Sequence, residues 1–182
     1  MQENKTLTLD PFETKTLSEV IDYVLETHHQ YIRSQGPQIL ELFAHVCRSK
    51  GATYPELIQM KELFEVIYMD LLDHLMKEEQ VLFPFCKQLD QANEKPIAPF
   101  GSVANPIRMM GFEHRTVQTQ MQEMTELSHN FTPPQNICHH HQELYDALLA
   151  FFEDLHLHMQ IEDEKLFPNA IQCEKERQVT QT

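Results

Sequence analysis

Apolar residues recur along this chain at helical spacing, not in alternation. From Leu17 to Ser49 the positions Val20, Val24, Ile32, Ile39, Leu42 and Val46 fall roughly on one helical stripe. The same period returns between breakers, and four long helical segments result. The first spans about Leu17 to Ser49, with Gly36-Pro37 expected to kink or split it. Gly51 to Pro55 turns the chain, and Thr53 is placed to cap a second helix carrying Pro55 and Glu56 in its first turn. That helix runs to about Leu89, interrupted near Pro84. After a loop from Asn93 to Ser102, a third helix spans roughly Asn105 to Ser128. Thr132-Pro133-Pro134 breaks the chain, and a fourth helix runs from about Gln135 to Gln172. Helices joined by short connections predict an all-α fold, an antiparallel up-down-up-down four-helix bundle. The expected organisation is a flexible N-terminal segment (1–16), one helical domain (17–173) and a polar tail (174–182).

Composition narrows the function classes. With 41% hydrophobic residues, 23% charged residues and only four glycines, the 182 residues suit one helical domain. The formal charge of −14 repels phosphate backbones and anionic lipid, so neither nucleic acid nor membrane is an expected partner, while divalent cations are attracted. No run of about 18 apolar residues occurs and Met1 to Asp10 lacks an apolar signal core, so the expected location is the cytoplasm. Cys47, Cys86, Cys138 and Cys173 are widely spaced without a C-x-x-C pair, as expected of free thiols.

The informative feature is a repeat. Asp70–Pro84 and, 84 residues later, Asp154–Pro168 share the form D-L-x-x-H-x-x-x-E-x-x-x-L-F-P. On a helix, residues i and i+4 share a face. Each copy therefore aims an imidazole and a carboxylate, His74 with Glu78 and His158 with Glu162, at one point. Lone histidines precede the copies at matched spacing: His29 lies 45 residues before His74, and His114 lies 44 before His158. The pattern predicts two helix hairpins related by a pseudo-twofold axis.

His29, His74, Glu78, His114, His158 and Glu162 together form a nitrogen- and oxygen-rich set without thiolate. It suits iron, with manganese or zinc as alternatives. Two carboxylates can each bridge a pair of metals, the histidines then taking terminal positions. Asp70 and Asp154, one turn before the motif histidines, are either acceptors that orient imidazoles or solvated charges. Phe83 and Phe167 are expected to seal the core around the site. The run Cys138-His139-His140-His141 reads as surface histidines, and His28, His129 and His156 as solvent-facing or bundle-edge residues. Glu26-x-x-His29 matches a ferritin-type ligand pair but has no mirror copy, which argues against that arrangement. Nucleophile elbows, Walker loops, dinucleotide fingerprints and the zinc-protease signature are absent.

These residues resemble the hemerythrin-like domain of the bacterial iron–sulfur cluster repair family. The matching runs are Leu25–Arg33, His74–Pro84, Gly101–Ile107, Glu113-His114, Thr132–Pro134 with Cys138, and Asp154 through Pro168, covering roughly 17–171. The resemblance implies a hemerythrin-like four-helix bundle, two iron ions in an oxo- or hydroxo-bridged centre on the same six ligands, and an acidic residue, Glu113, beside it. It implies restoration of clusters damaged by oxidative or nitrosative stress, with damaged iron–sulfur proteins as partners and iron donation as the mechanism. The alternatives are a nitric oxide or peroxide reductase, or a binder or sensor of O2 or nitric oxide. It further implies a ligand histidine in a His-Gly pair about 21 residues after the first. Lys50-Gly51 stands there, so the first metal is expected to lack one terminal ligand, and His45 is poorly placed to replace it. Many members also carry an N-terminal cysteine-bearing domain, for which about 16 residues precede the first helix here.

Overall fold

Four helical rods, each packed against its neighbours along one buried stripe, make up the described residues 9–92, 96–135 and 137–179 of this computed structural model. The first rod joins α1 (Leu17–Val24), a π-helical turn (Leu25–His29) and α2 (Gln30–Lys50). The second joins α3 (Glu56–Lys77), a π-helical turn (Glu78–Leu82) and α4 (Phe83–Gln91). The third is α5 (Ala104–Leu127). The fourth joins α6 (His139–Ile161), a π-helical turn (Glu162–Leu166) and α7 (Phe167–Val179). No strand occurs among the described residues, so the fold is the expected all-α bundle.

Contacts between rods fix their directions. Along the first and second rods Phe43 meets Phe64, Arg33 meets Glu79 and Asp22 meets Lys87, so the pair is antiparallel. The second and third run antiparallel too, with His74 on Glu113 and Asp70 on Gln120. Tyr31 against Phe151 and His45 against His140 make the first and fourth antiparallel, closing the bundle.

Several local expectations change. α2 runs through Pro37 without splitting. Pro37 lies on the exposed face, while Ile32 and Ile39 anchor the helix on either side. Gly36, about 100° round the helix from Pro37, is buried. A Cβ there would lie 2.1 Å from Tyr68 Cε2, so glycine is what lets α2 approach α3. Thr53 does not cap α3; Leu57 N–H and Ile58 N–H donate to the carbonyls of Tyr54 and Pro55. A side-chain cap forms at α1, where Thr16 and Glu19 make a reciprocal capping box. The expected N-terminal segment lies partly outside the described residues. Its remainder forms a 3-10 turn at Asp10–Phe12 with Leu9 and Phe12 buried. At the other end Glu174 is buried on α7 and accepts from Ser102 Oγ and Val103 N–H. The expected loop at Asn93 to Lys95 also falls outside the described residues.

The bundle has two apolar cores. One runs from Ile32 and Val46 across Phe64, Leu75, Tyr145 and Phe151 to Met159. The other gathers Val20, Ile21, Phe83, Cys86, Ile107, Leu166 and Ala170. Between them lies a buried layer of His28, His29, His74, Glu78, His114, His158 and Glu162. No helix among the described residues is long and apolar enough to cross a membrane.

Candidate metal centre

The π-helical turns set up this layer. Glu78 and Glu162 each open one, and the N–H groups of Phe83 and Phe167 reach back five residues to their carbonyls. Pro84 and Pro168 follow directly. A proline offers no N–H to the carbonyl four residues back and crowds it, and the wider turn just before it makes room. The third π-helical turn ends at His29 and brings the adjacent His28 and His29 both into the interior.

All six residues singled out by the repeat converge. They form two groups, His29, Glu78, His158, Glu162 and His74, Glu78, His114, Glu162, whose donor atoms lie within 4.8 Å of one another. The carboxylates belong to both. Glu78 turns Oε1 toward His74 Nε2 at 3.3 Å and Oε2 toward His29 Nε2 at 3.5 Å. Glu162 turns Oε1 toward His158 Nε2 at 3.0 Å and Oε2 toward His114 Nε2 at 3.3 Å. Each acid thus gives one oxygen to each group. Among the described residues, all four oxygens, with His29 Nε2 and His158 Nε2, lack hydrogen-bond partners. Leaving a buried polar atom unsatisfied costs about 1–3 kcal/mol each. Divalent cations satisfy such a set, so the residues fit a pair of metals.

Outer acids hold three of the four imidazoles. His29 Nδ1 donates to Glu79 at 2.8 Å, His114 Nδ1 to Asp163 at 2.9 Å and His74 Nδ1 to Glu113 at 2.9 Å. This bond leaves Nε2 facing inward with its lone pair. Arg33 in turn grips Glu79, and Lys77 grips Glu113. Phe83 stacks on His29 and Phe167 on His114, the same contact in each half.

Charge follows these contacts. Burial disfavours the charged form of His74, but Glu78 and Glu113 outweigh it and push its pKa up to about 10. Burial is likewise overcome at His114 by Asp163 and Glu162, which push it up to about 9. His29 is raised against burial by Glu78. At His158 burial prevails and the pKa falls. Burial opposes ionisation of Glu78 and Glu162 too, yet the adjoining histidines hold both below the usual carboxylate range, Glu162 well below it. Glu113, bonded to His74 and Lys77, is lowered to about 2.

Other expectations need correction. Lys50 ends α2, 21 residues from His29 on the same rod and so roughly 30 Å away at 1.5 Å per residue. Lys50 therefore lies away from both groups, each of which has two histidines and both carboxylates. Asp70 accepts from Gln120, and Asp154 from His28, so neither orients a motif histidine. His28 is buried, not at the edge; its ring lies parallel to His158 at 5.6 Å between centroids. Glu79 and Asp163 were missed, although both copies of the repeat carry an acid directly after the glutamate. In the 138–141 run, His139 and His140 are exposed, but His141 is buried between Tyr54 and Tyr145 with neither ring nitrogen hydrogen-bonded. His129 and His156 are exposed, as expected.

Comparison with known proteins agrees with this geometry. Residues 20–170 match the family model for the hemerythrin HHE cation binding domain. The chain is 30% identical over 172 residues to a probable iron–sulfur cluster repair protein of Haemophilus influenzae, covering 94% of this chain and 73% of that protein. It is 29% identical over 164 residues to the iron–sulfur cluster repair protein YtfE of Dickeya chrysanthemi (90% and 70% covered). To the protein of the same name in Pectobacterium carotovorum it is 31% identical over 160 residues (87% and 67% covered).

Proposed function

The chain belongs to the hemerythrin HHE cation-binding family, and from that premise we propose that it carries two iron ions and gives iron up to rebuild damaged iron–sulfur clusters. His29, His74, His114 and His158 would hold the ions terminally, with Glu78 and Glu162 shared between them. One observation carries the two-ion reading: each buried carboxylate turns a separate oxygen to each histidine pair. A single-ion site would need one converging face, not two. The donor set, imidazole and carboxylate without thiolate, favours iron, with manganese and zinc next.

The repair role is supported by the names of the relatives, which are similar over most of this chain. Donation of iron is the step we infer for that role. Damaged iron–sulfur proteins are then the partners, in the cytoplasm, with nitric oxide or peroxide as the agents of damage.

The test is transfer. The protein is loaded anaerobically with ferrous iron and mixed with a nitrosylated or oxidised cluster protein, and cluster recovery is followed by absorption. Recovery faster than with an equal concentration of free ferrous iron is expected. Recovery no faster than free iron contradicts donation. Consumption of nitric oxide or peroxide with stoichiometric electron input, without cluster recovery, assigns the site to reduction instead.

A further inference from the structure

The duplication allows the two metal positions to be compared residue by residue, and the comparison shows that their imidazoles are held differently. His29 corresponds to His114, His74 to His158, Glu79 to Asp163, and Glu113 to His28. In the His74/His114 position both imidazoles are held by acids: His74 by Glu113 at 2.9 Å and His114 by Asp163 at 2.9 Å. In the His29/His158 position only His29 is held, by Glu79 at 2.8 Å. His158 Nδ1 has no hydrogen-bond partner among the described residues.

The difference lies at the residue before each lone histidine, which a π-helical turn carries inward in the first rod and not in the third. Where Glu113 meets His74, the matching place beside His158 holds another histidine. The His28 ring lies parallel to His158, 11° between planes, and its Nδ1 pairs with Asp154 at 2.9 Å. Parallel rings at this separation share no in-plane hydrogen bond. His28 Nε2 and Asp154 Oδ2 likewise have no partner among the described residues. Asp154, one turn before His158 on α6, meets His28 and makes no hydrogen bond to His158.

An acceptor on the outer nitrogen fixes an imidazole's tautomer and ring orientation. Losing such a partner typically costs 10–100-fold in metal affinity. Resting on the two-ion reading above, we propose that the positions are unequal: the ion between His29 and His158 is the exchangeable one, and the ion between His74 and His114 is retained. Glu113 is then a positioning residue, and the exchange of Glu113 for His28 is what makes one iron available for transfer.

The experiment follows release of iron from ferrous-loaded protein to a colorimetric ferrous chelator. Two phases of one equivalent each are expected, separated by about tenfold or more in rate. Glu113→Gln removes the charged acceptor of His74 and is expected to accelerate only the slow phase, with its helix content checked by circular dichroism. Crystals of the wild-type protein treated briefly with chelator assign the phases without any variant. Anomalous scattering at the iron edge should show the remaining ion at His74/His114. A remaining ion at His29/His158, or two ions that leave together, overturns this inference alone. Fewer than two ions at loading overturns the two-ion reading and this inference with it.

Discussion

His74 Nε2 and His114 Nε2 face each other 3.2 Å apart in the bundle interior, one from each half of the duplicated chain. Two ring nitrogens of the same kind meet there, and their outer nitrogens are already committed to Glu113 and Asp163. The contact makes sense as two donors addressing one cation, with Glu78 and Glu162 completing the group.

Because each carboxylate serves both groups, removing one should damage both. Glu78→Gln and Glu162→Gln keep the side-chain shape but lose the charge and half the acceptor capacity. Each is expected to lower iron content from two per chain to one or fewer, measured by elemental analysis after gel filtration. Glu26, exposed and one turn from His29, is the control: Glu26→Gln should keep two.

Lys50→His tests the corrected position of that residue. If the site lay near Lys50, a histidine there would add a ligand and slow iron release. With Lys50 at the far end of α2, metal content and release rates are expected to stay within error of wild type.

Gly36→Ala tests the close approach of α2 and α3. The added methyl meets the Tyr68 ring, itself buried, so the helices or the ring must shift. Chemical denaturation is expected to show a loss of about 1–3 kcal/mol, the usual range for overpacking. Adding Tyr68→Leu should recover much of that loss; no recovery would place the strain elsewhere.

His141 gives a pH dependence distant from the centre. It is fully buried, and that burial lowers its pKa, with Glu56 opposing and Lys50 reinforcing the shift. Tyr54 and Tyr145, the rings packed on it, give its nitrogens no hydrogen bond. As pH falls through the unfolded value near 6.5, the unfolded chain takes up a proton that the folded chain refuses, so stability declines from there toward the folded pKa. His141→Leu removes this term. Between pH 7 and pH 5 the metal-free wild type should therefore lose more unfolding free energy than the variant, and equal losses would contradict the assignment. At pH 7 the variant is expected to be no less stable, since an unsatisfied buried polar group is replaced by an apolar one.

The six central residues were legible because a duplicated i, i+4 pair and two matched histidines leave few other ways to arrange them. The fold followed from the same helical period. What escaped the sequence depended on backbone detail. The π-helical turn at Leu25–His29 carries His28 inward, which an ideal helix places about 100° from His29. Pro37 was harmless because it faces solvent, a fact of packing and not of local propensity. Lys50 differs in kind: helix rise alone puts residue 50 far from residue 29, whatever the family pattern at that position implies. Glu79 and Asp163 were within reach, since they occupy one column of the repeat, but their role needs the rods in register.

The most direct measurement is anomalous diffraction at the iron edge from crystals of the freshly loaded protein. Two peaks per chain are expected, one between His29 and His158 and one between His74 and His114, with Glu78 and Glu162 touching both. A single peak, or peaks away from these six residues, would contradict the shared two-ion centre.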